Sequence, residues 1–251
     1  MNYKAYPNEL WKQIELTLQQ LKSQPKNQPL IAAFDADGTL WDIDLGENFF
    51  QYQIEQKQIP LPQAPWNHYL EMKKINNDPR SAYVWLAQIN KGYSLEQVQK
   101  WALEAFNQAH PVPFFQEQKK LIQYFLQEGV EVYIVTASVK WAIEPAAAAL
   151  GISADHVVGV ETMVQSGVIT DEPIYPITYR QGKSEALLKQ TQQKQPFFCS
   201  GNTMGDLELL QMASHLRLAV SASSRDDKLF RTESELQQTA QQNKWLNHRF
   251  I

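Results

Sequence analysis

Apolar and polar positions follow two different rhythms along this chain. From residue 114 onward, apolar runs of strand length such as VEVYIVTAS alternate with stretches in which apolar residues recur every three or four positions. Alternating strands and helices predict a parallel sheet built from strand–helix–strand units. The predicted strands are residues 29–35, 130–138, 156–164, 195–201 and 216–221.

The segment that follows the first predicted strand has little strand character. It contains four amphipathic stretches that are predicted to be helices, and the last begins at Ser94 in a capping-box pattern. The predicted fold class is therefore α/β, with a Rossmann-like parallel-sheet core and an inserted α-helical cap. The core is expected to comprise residues 1–44 and 111–251, and the cap residues 45–110 after the first core strand.

The composition is that of an ordinary globular protein. Of the 251 residues, 43% are hydrophobic and 20% are charged, and the formal net charge is −4. This balance gives no basic surface for a nucleic-acid partner. The single cysteine, Cys199, excludes an internal disulfide framework and is expected to be a small buried core residue.

The chain shows no sign of a membrane or export segment. Its first residues lack the apolar stretch of a signal peptide, and no apolar run approaches the roughly 18 residues that a membrane span needs. A cytoplasmic protein without a membrane partner is expected. The last residues, 232–251, carry Trp245, Phe250 and Ile251, so this stretch is predicted to dock on the core or on a second subunit, which leaves a homo-oligomer open.

Polar side chains follow three of the predicted strands at the point where each strand ends. Ligands of open α/β sheets bind beyond these carboxyl ends. Each residue alone is more often a helix cap or a surface residue, but together they predict one site. They are Asp35 and Asp37 after the first strand, Thr136 and Ser138 at the end of the second, Asn202 and Asp206 after the fourth, and Lys183 in the helix before the fourth.

Converging oxygen side chains repel one another unless a cation lies between them. Mg²⁺ takes oxygen ligands and keeps waters for a substrate phosphate, so the cluster predicts a Mg²⁺ and phosphate site. Lys183 adds a positive charge, Thr136 a hydroxyl donor, and Gly38 lets the backbone approach the phosphate while Thr39 fixes the loop. A carboxylate held there can attack phosphorus and form an aspartyl-phosphate. The second acid can protonate the leaving oxygen and later activate water.

These residues resemble the four motifs of the haloacid dehalogenase superfamily of phosphohydrolases. DADGTLW is similar to the first motif, Thr136 in YIVTAS to the second, Lys183 in RQGKSEALL to the third and GNTMGDLELL to the fourth. The first motif is specific, and the others count by their order and context over residues 31–220. The inserted segment resembles the cap of the subgroup that contains phosphoserine phosphatase and phosphorylcholine phosphatase.

The resemblance implies a role for each matched residue. Asp35 would be the nucleophile, and Asp37 the general acid and base, with its backbone carbonyl on Mg²⁺. Asp37 also argues against a true dehalogenase, which lacks it. Asn202 stands where the family usually has aspartate, which removes a negative charge and puts the metal affinity in question. The implied catalytic residues are Asp35, Asp37, Lys183 and Thr136, and the implied metal ligands are Asp35, Asp37, Asn202 and Asp206.

The inserted segment carries the candidate substrate contacts. Asp44 lies where phosphoserine phosphatase-like chains commonly carry an acid that faces an amine, and Glu47 follows one helical turn later. An equally weighted alternative is that both acids complement a helix N-terminus. Arg80 suits a substrate carboxylate, and the dense aromatic residues suit a quaternary ammonium. The predicted substrate is a small, amine-bearing phosphometabolite, phosphoserine- or phosphocholine-like. The remaining candidate contacts are Ser138, Gly38 and Thr39.

Two other functional classes remain open from the sequence. An enzyme of the same superfamily could transfer the phosphoryl group to an acceptor, and transfer would then exceed hydrolysis. A non-catalytic module that binds a phosphometabolite would fit a metal site weakened at Asn202, whereas Asp35, Asp37 and Lys183 oppose it. Metal-dependent turnover separates the module from the two enzymes.

Overall fold

The computed structural model describes residues 3–24 and 29–251, and within these ranges the chain forms eight strands and ten α-helices. None of the helices in the described ranges is long and apolar enough to cross a membrane. The strands are β1 Ile31–Phe34, β2 Glu131–Val139, β3 Val157–Val160, β4 Thr162–Gln165, β5 Val168–Pro173, β6 Phe198–Gly201, β7 Leu216–Ser221 and β8 Leu246–Arg249. The helices are α1 Asn8–Lys22, α2 Leu45–Gln56, α3 Pro65–Met72, α4 Arg80–Gln88, α5 Leu95–Gln108, α6 Gln116–Gln127, α7 Lys140–Ala149, α8 Gln181–Gln190, α9 Leu207–Gln211 and α10 Phe230–Gln242.

Six parallel strands form the central sheet in the order β3-β2-β1-β6-β7-β8, which confirms the predicted α/β core. The chain extends the sheet from β1 towards β3 and then in the opposite direction from β6 to β8. The strand order therefore reverses beside β1, and ligands of open sheets bind at such a reversal. Phe34 lies opposite Ile134 of β2 and Ser200 of β6, so the residues that follow these strands meet at one edge.

Alternate residues of β1 face two different layers of helices. Ala32 and Phe34 pack with α1 and α6, whereas Ile31 and Ala33 pack with α8, α9 and α10. All four are buried, as expected of a central strand that is covered on both faces. Cys199 of β6 is also buried, as predicted. The loop after β1 is thus anchored on both sides of the sheet.

Helices α2 to α5 form the helical segment (residues 45–110), which contributes most of the residues of a second apolar cluster. Asp44 caps α2 by accepting a hydrogen bond from the N–H of Glu47 at 2.7 Å, and Ser94 caps α5 in the same way at 3.1 Å. The cluster includes Trp141 of α7, so the segment packs on the core just beyond the end of β2. A division into domains at the predicted boundaries stays a prediction.

Residues 156–164 form two strands instead of the single predicted one. The chain leaves the central sheet after β3, and β4 then pairs antiparallel with β5. Ser166 and Gly167 connect them with φ of 50° and 79°, the geometry of a tight hairpin turn. The N–H of Gly92 donates to the carbonyl of Ile169 at 2.9 Å, which ties the hairpin to the helical segment.

The C-terminal stretch docks on the core of its own chain. Helix α10 packs on the sheet, and β8 adds a parallel edge strand beside β7. Phe250 is fully buried and stacks on Phe115 with ring centroids 4.1 Å apart. Of the two predicted docking partners, the core is therefore the one that the structure shows.

Candidate active site

The carboxyl ends of β1, β2 and β6 open into one cavity of about 560 Å³. Asp35 follows β1 directly, Thr136 lies near the end of β2, and Asn202 follows β6. Lys183 enters from α8 and is buried. The predicted site residues that line this cavity are Asp35, Asp37, Gly38, Asp44, Glu47, Thr136, Ser138, Lys183, Asn202 and Asp206.

A buried ammonium lies between two carboxylates in this cavity. Nζ of Lys183 donates to Oδ1 of Asp35 and to Oδ1 of Asp206, each at 2.5 Å. Burial disfavours the charged form of Lys183, but the two carboxylates outweigh that effect and raise its pKa. Burial and the Asp206 carboxylate raise the pKa of Asp35, against the opposing effect of Lys183. The arrangement places a fixed positive charge beside Asp35.

Three donors hold the carboxylate of Asp37. Nε1 of Trp41 and the N–H of Leu45 donate to Oδ1 at 2.8 and 2.9 Å. Oγ of Ser138 donates to Oδ2 at 2.6 Å. Burial raises the pKa of Asp37 in spite of these hydrogen bonds, which favour the ionised form. A fixed carboxyl with a raised pKa is suited to exchange a proton with a ligand in the cavity.

The end of β2 contributes two hydroxyl groups with different surroundings. The hydroxyl oxygen of Thr136 accepts a hydrogen bond from the N–H of Ser138 at 3.0 Å, so its own hydrogen can be donated into the cavity. The hydroxyl of Ser138 donates to Asp37 instead. Of the two, Thr136 is the better placed to contact an anionic ligand.

The turn after β1 requires glycine at one position. Gly38 has a φ of 78°, and a Cβ there would lie 2.1 Å from Nδ2 of Asn202. Thr39 is fully buried below the turn, and its Oγ1 lies 2.8 Å from Oδ2 of Asp35 and 3.2 Å from Oδ1 of Asn202. In this structure, Gly38 and Thr39 therefore shape the loop that holds Asp35.

The turn after β6 orients Asp206 and Asn202. Oδ2 of Asp206 accepts hydrogen bonds from the N–H groups of Asn202 and Thr203 at 3.1 and 3.0 Å, which leaves Oδ1 on the side of Lys183. Nδ2 of Asn202 donates to Oε1 of the buried Glu233 at 3.1 Å. The other end of the amide, Oδ1 of Asn202, therefore faces Thr39.

The oxygen donors at this edge suit a hard divalent cation. They are the side-chain oxygens of Asp35, Asn202 and Asp206 and the backbone carbonyl of Asp37, and oxygens of these kinds are ligands for Mg²⁺. Within the described ranges, no three His, Cys, Asp or Glu side chains group closely enough to hold a metal on their own. Asn202 supplies a neutral amide oxygen, so this set of ligands carries one negative charge fewer than a set with aspartate at position 202. The donor chemistry fits Mg²⁺, although the ligands are less negatively charged.

Asp44 takes part in the helix cap and also lines the cavity. The residue is exposed to solvent. Desolvation by the surrounding protein and the carboxylates of Asp37 and Glu47 raise the pKa of Asp44. Both sequence-based interpretations of Asp44 are thus compatible with its position, because a cap residue at this point also faces the cavity.

Glu47 lies in a mixed-charge cluster on the same side. Its Oε1 accepts a hydrogen bond from Nζ of Lys73 at 3.1 Å and lies 3.4 Å from the hydroxyl of Tyr69, and its Oε2 lies 3.7 Å from Nζ of Lys228. The Lys73 ammonium also lies 5.0 and 5.6 Å from the ring centroids of Tyr69 and Tyr83. A carboxylate and two aromatic rings thus already hold a cation at the cavity wall.

Arg80 lies outside this cavity. Its guanidinium pairs with Asp78, with Nη2 and Oδ2 2.5 Å apart, at the start of α4. Both residues line a separate groove of about 870 Å³ between α4 and the start of α8. The structure therefore does not bring Arg80 together with the other predicted substrate contacts.

The sequence motifs do not predict the contacts that three further side chains make at the site. The indole N–H of Trp41 donates to Asp37, and the Asn202 amide donates to Glu233. The Lys73 ammonium donates to Glu47. Trp41 follows Asp37 by only four residues, so a tight turn between them could have predicted this contact. Glu233 and Lys73 lie far from their partners in sequence, and no local pattern connects them.

Comparison with known proteins identifies the family to which this chain is similar. The model of haloacid dehalogenase-like hydrolases matches residues 32–211. Phosphorylcholine phosphatase of Pseudomonas aeruginosa is 23% identical in an alignment 180 positions long, which covers 56% of this chain and 51% of that protein. The chain thus spans about half the length of this curated relative.

Two solved structures show the same fold. A protein of unknown function from Bordetella pertussis Tohama I has a TM-score of 0.69 at 16% identity over 88% of this chain and 99% of that chain. A phosphoserine phosphohydrolase-like protein from Francisella tularensis has a TM-score of 0.51 at 17% identity over 76% of this chain and 87% of that chain. Since the family model covers most of the sequence, this chain belongs to the haloacid dehalogenase-like hydrolases.

Proposed function

We propose that this protein is a Mg²⁺-dependent phosphomonoester hydrolase that forms an aspartyl-phosphate on Asp35. The observation that carries the proposal is the buried contact of Lys183 with Asp35 and Asp206, beside the hydrogen-bonded Asp37, in one open cavity. A nucleophile, a fixed positive charge and a candidate general acid are the groups that stepwise phosphoryl transfer needs.

In the proposed first step, a carboxylate oxygen of Asp35 attacks phosphorus. Lys183 and the Thr136 hydroxyl bind the phosphoryl oxygens and orient the group. The bond between phosphorus and the leaving oxygen breaks, and Asp37 gives its proton to that oxygen. The products of this step are the free alcohol, an ionised Asp37 and an aspartyl-phosphate.

In the second step, Asp37 acts as a base. It removes a proton from a water molecule, whose oxygen forms a bond to phosphorus while the bond from phosphorus to Asp35 breaks. Inorganic phosphate leaves, Asp35 regains its carboxylate and Asp37 its proton. The hydrogen bonds from Trp41 and Ser138 keep Asp37 in one orientation for both transfers.

The side-chain oxygens of Asp35, Asn202 and Asp206 and the backbone carbonyl of Asp37 would hold the cation. A bound divalent cation supplies neutralisation of the negative charge on the phosphoryl oxygens. Lys183, which contacts Asp35 and Asp206, would share that task. With one carboxylate fewer than the usual family set, the site is proposed to need a higher free Mg²⁺ concentration.

The proposed substrate is a small phosphorylated metabolite with an amine group in its leaving alcohol. The support is the carboxylates of Asp44 and Glu47 and the rings of Tyr69 and Tyr83 at one wall of the cavity. A relative that is named phosphorylcholine phosphatase adds support from a second direction. In this proposal the helical segment acts as a cap that selects the alcohol, while the core performs the chemistry.

Phosphate release tests the proposal directly. The protein would be assayed with Mg²⁺ on phosphoserine, phosphocholine, phosphoethanolamine and several sugar and nucleotide monophosphates. We expect turnover of an amine-bearing ester that is lost with EDTA and in Asp35→Asn. Asp155→Asn, which changes an exposed aspartate outside the cavity, is the matched control. Absence of release from every ester by the folded, Mg²⁺-saturated protein would refute the proposed function, and transfer to an acceptor in excess of hydrolysis would replace it with phosphoryl transfer.

A further inference from the structure

We propose that Glu233 is a positioning residue that fixes the Asn202 amide with its oxygen towards the metal site. On this account, Asn202 and Glu233 act as a pair in which the carboxylate of Glu233, bonded to the Asn202 amide, supplies the negative charge that Asn202 itself lacks. The inference rests on the proposed function in so far as it assigns Mg²⁺ to this edge of the sheet.

Glu233 is almost completely buried, at 1% exposure, in α10. Its Oε2 accepts hydrogen bonds from the N–H groups of Ala222 and Ser223 at 3.1 and 2.9 Å. Its Oε1 accepts from Nδ2 of Asn202 at 3.1 Å. Both oxygens therefore act as acceptors, and the backbone beyond β7 fixes the carboxylate in place.

This carboxylate determines which end of the Asn202 amide faces the site. The amide has one accepting and one donating end. With Nδ2 on Glu233, Oδ1 must point the other way, where Oγ1 of Thr39 lies 3.2 Å from it. A reversed amide would set Oδ1 against a carboxylate oxygen. Such a contact is strongly unfavourable for buried groups.

The same geometry explains the amide at position 202. An aspartate there would place two carboxylates in contact, because Glu233 lies at hydrogen-bond distance from the Asn202 side chain. The side chain cannot move aside easily, since Gly38 closes over it so tightly that a Cβ would overlap its amide nitrogen. Buried like charges at such a separation repel strongly. An asparagine gives Glu233 a donor and still offers an oxygen to a cation.

Glu233→Gln tests the orientation of the amide. The backbone N–H groups of Ala222 and Ser223 would select the glutamine oxygen, which turns its NH₂ group towards Asn202. The Asn202 amide must then reverse and present NH₂ to the metal site. We expect the Mg²⁺ dissociation constant, measured by titration calorimetry, to rise about 10- to 100-fold, the range seen when a partner of a metal ligand is lost.

The double variant Asn202→Asp/Glu233→Gln provides the rescue. The carboxylate introduced at position 202 would accept the hydrogen bond from the glutamine NH₂, which returns the charge to the ligand position. We expect Mg²⁺ binding close to that of the unmodified protein. The matched control is Glu117→Gln, which makes the same change at a buried glutamate of α6 that bonds to Trp11 and Lys120; it should leave Mg²⁺ binding unchanged.

A metal-free measurement covers the case in which Glu233→Gln does not fold. Without Mg²⁺, Asn202→Asp alone should melt below the unmodified protein, because two carboxylates then abut, and the double variant should recover the loss. Unchanged Mg²⁺ binding in Glu233→Gln, or a metal-free melting temperature of Asn202→Asp that is not lowered, overturns this proposal alone. Absence of Mg²⁺ binding by the unmodified protein overturns both proposals. Absence of phosphate release with Mg²⁺ bound and the pair behaving as expected overturns only the proposed function.

Discussion

Trp41 determines the environment of the proposed general acid. Its indole N–H donates to Asp37 at 2.8 Å from a fully buried position, so it is both a core residue and part of the site. In Trp41→Phe we expect kcat to fall about 10- to 100-fold, the rate equivalent of the roughly 1.5–3 kcal/mol of a hydrogen bond to a charged group, with KM little changed.

The control for this variant is Trp141→Phe, which removes the same atoms from another buried tryptophan. Steady-state kinetics on both variants separates the lost hydrogen bond from the lost packing. An equal fall of kcat in the two variants would contradict the role of the indole N–H.

Lys73 makes a second prediction at the scale of single residues. Its ammonium lies on Glu47 and over two tyrosine rings, where the amine of the proposed substrate would bind. Lys73→Gln should therefore lower KM for an amine-bearing ester about three- to tenfold, since it removes a competing cation worth about 1 kcal/mol of contacts. Lys91→Gln, remote from the cavity, is the control. A higher KM in Lys73→Gln would mean that Lys73 binds an anionic group of the substrate.

The first turn of α2 links the helical segment to the chemistry. Gly46 faces the end of β2 so closely that a Cβ would lie 2.5 Å from Oγ of Ser138, the donor to Asp37. Gly46→Ala raises helix propensity, but overpacking costs about 1–3 kcal/mol. We therefore expect both kcat and the melting temperature to fall, measured by steady-state kinetics and thermal denaturation.

The N-cap of α5 provides a control for Gly46→Ala. Ser94→Ala removes the N-cap of α5, remote from Ser138, and should cost about 1 kcal/mol of stability with little change in kcat. If Gly46→Ala behaved like Ser94→Ala, the close approach of α2 to β2 would have no part in positioning Asp37.

At the scale of the whole molecule, the C-terminus completes the core. Phe250 is fully buried and stacks on Phe115, the residue directly before α6. Phe250→Ala should lower the free energy of unfolding by about 3–5 kcal/mol, measured by denaturant titration. Leu103→Ala, at a side chain that is half exposed, should cost far less. Similar losses in the two variants would show that the C-terminal residues do not belong to the cooperative core.

The sequence allows prediction of those parts of the site that local patterns encode. Asp35 and Thr136 lie at the ends of apolar runs, and the parallel sheet places those ends at one edge. Lys183 lies in α8, the helix that precedes β6. Contacts between distant residues leave no such pattern, and Glu233 meets Asn202 across 31 positions. Arg80 is the exception, because its partner Asp78 is only two residues away and the pair is a local charge pattern that the sequence contains.

The account as a whole depends on Asp35 carrying the phosphoryl group. The most direct measurement is acid quench of Asp37→Asn during turnover of p-nitrophenyl phosphate with Mg²⁺, followed by peptide mass spectrometry. The nitrophenolate leaves without a proton, whereas hydrolysis of the intermediate lacks its base, so the account predicts a phosphoryl group on Asp35 that is absent from Asp35→Asn. A phosphoryl group on another residue, or phosphate release with no phosphorylated peptide in either the unmodified protein or Asp37→Asn, would contradict it.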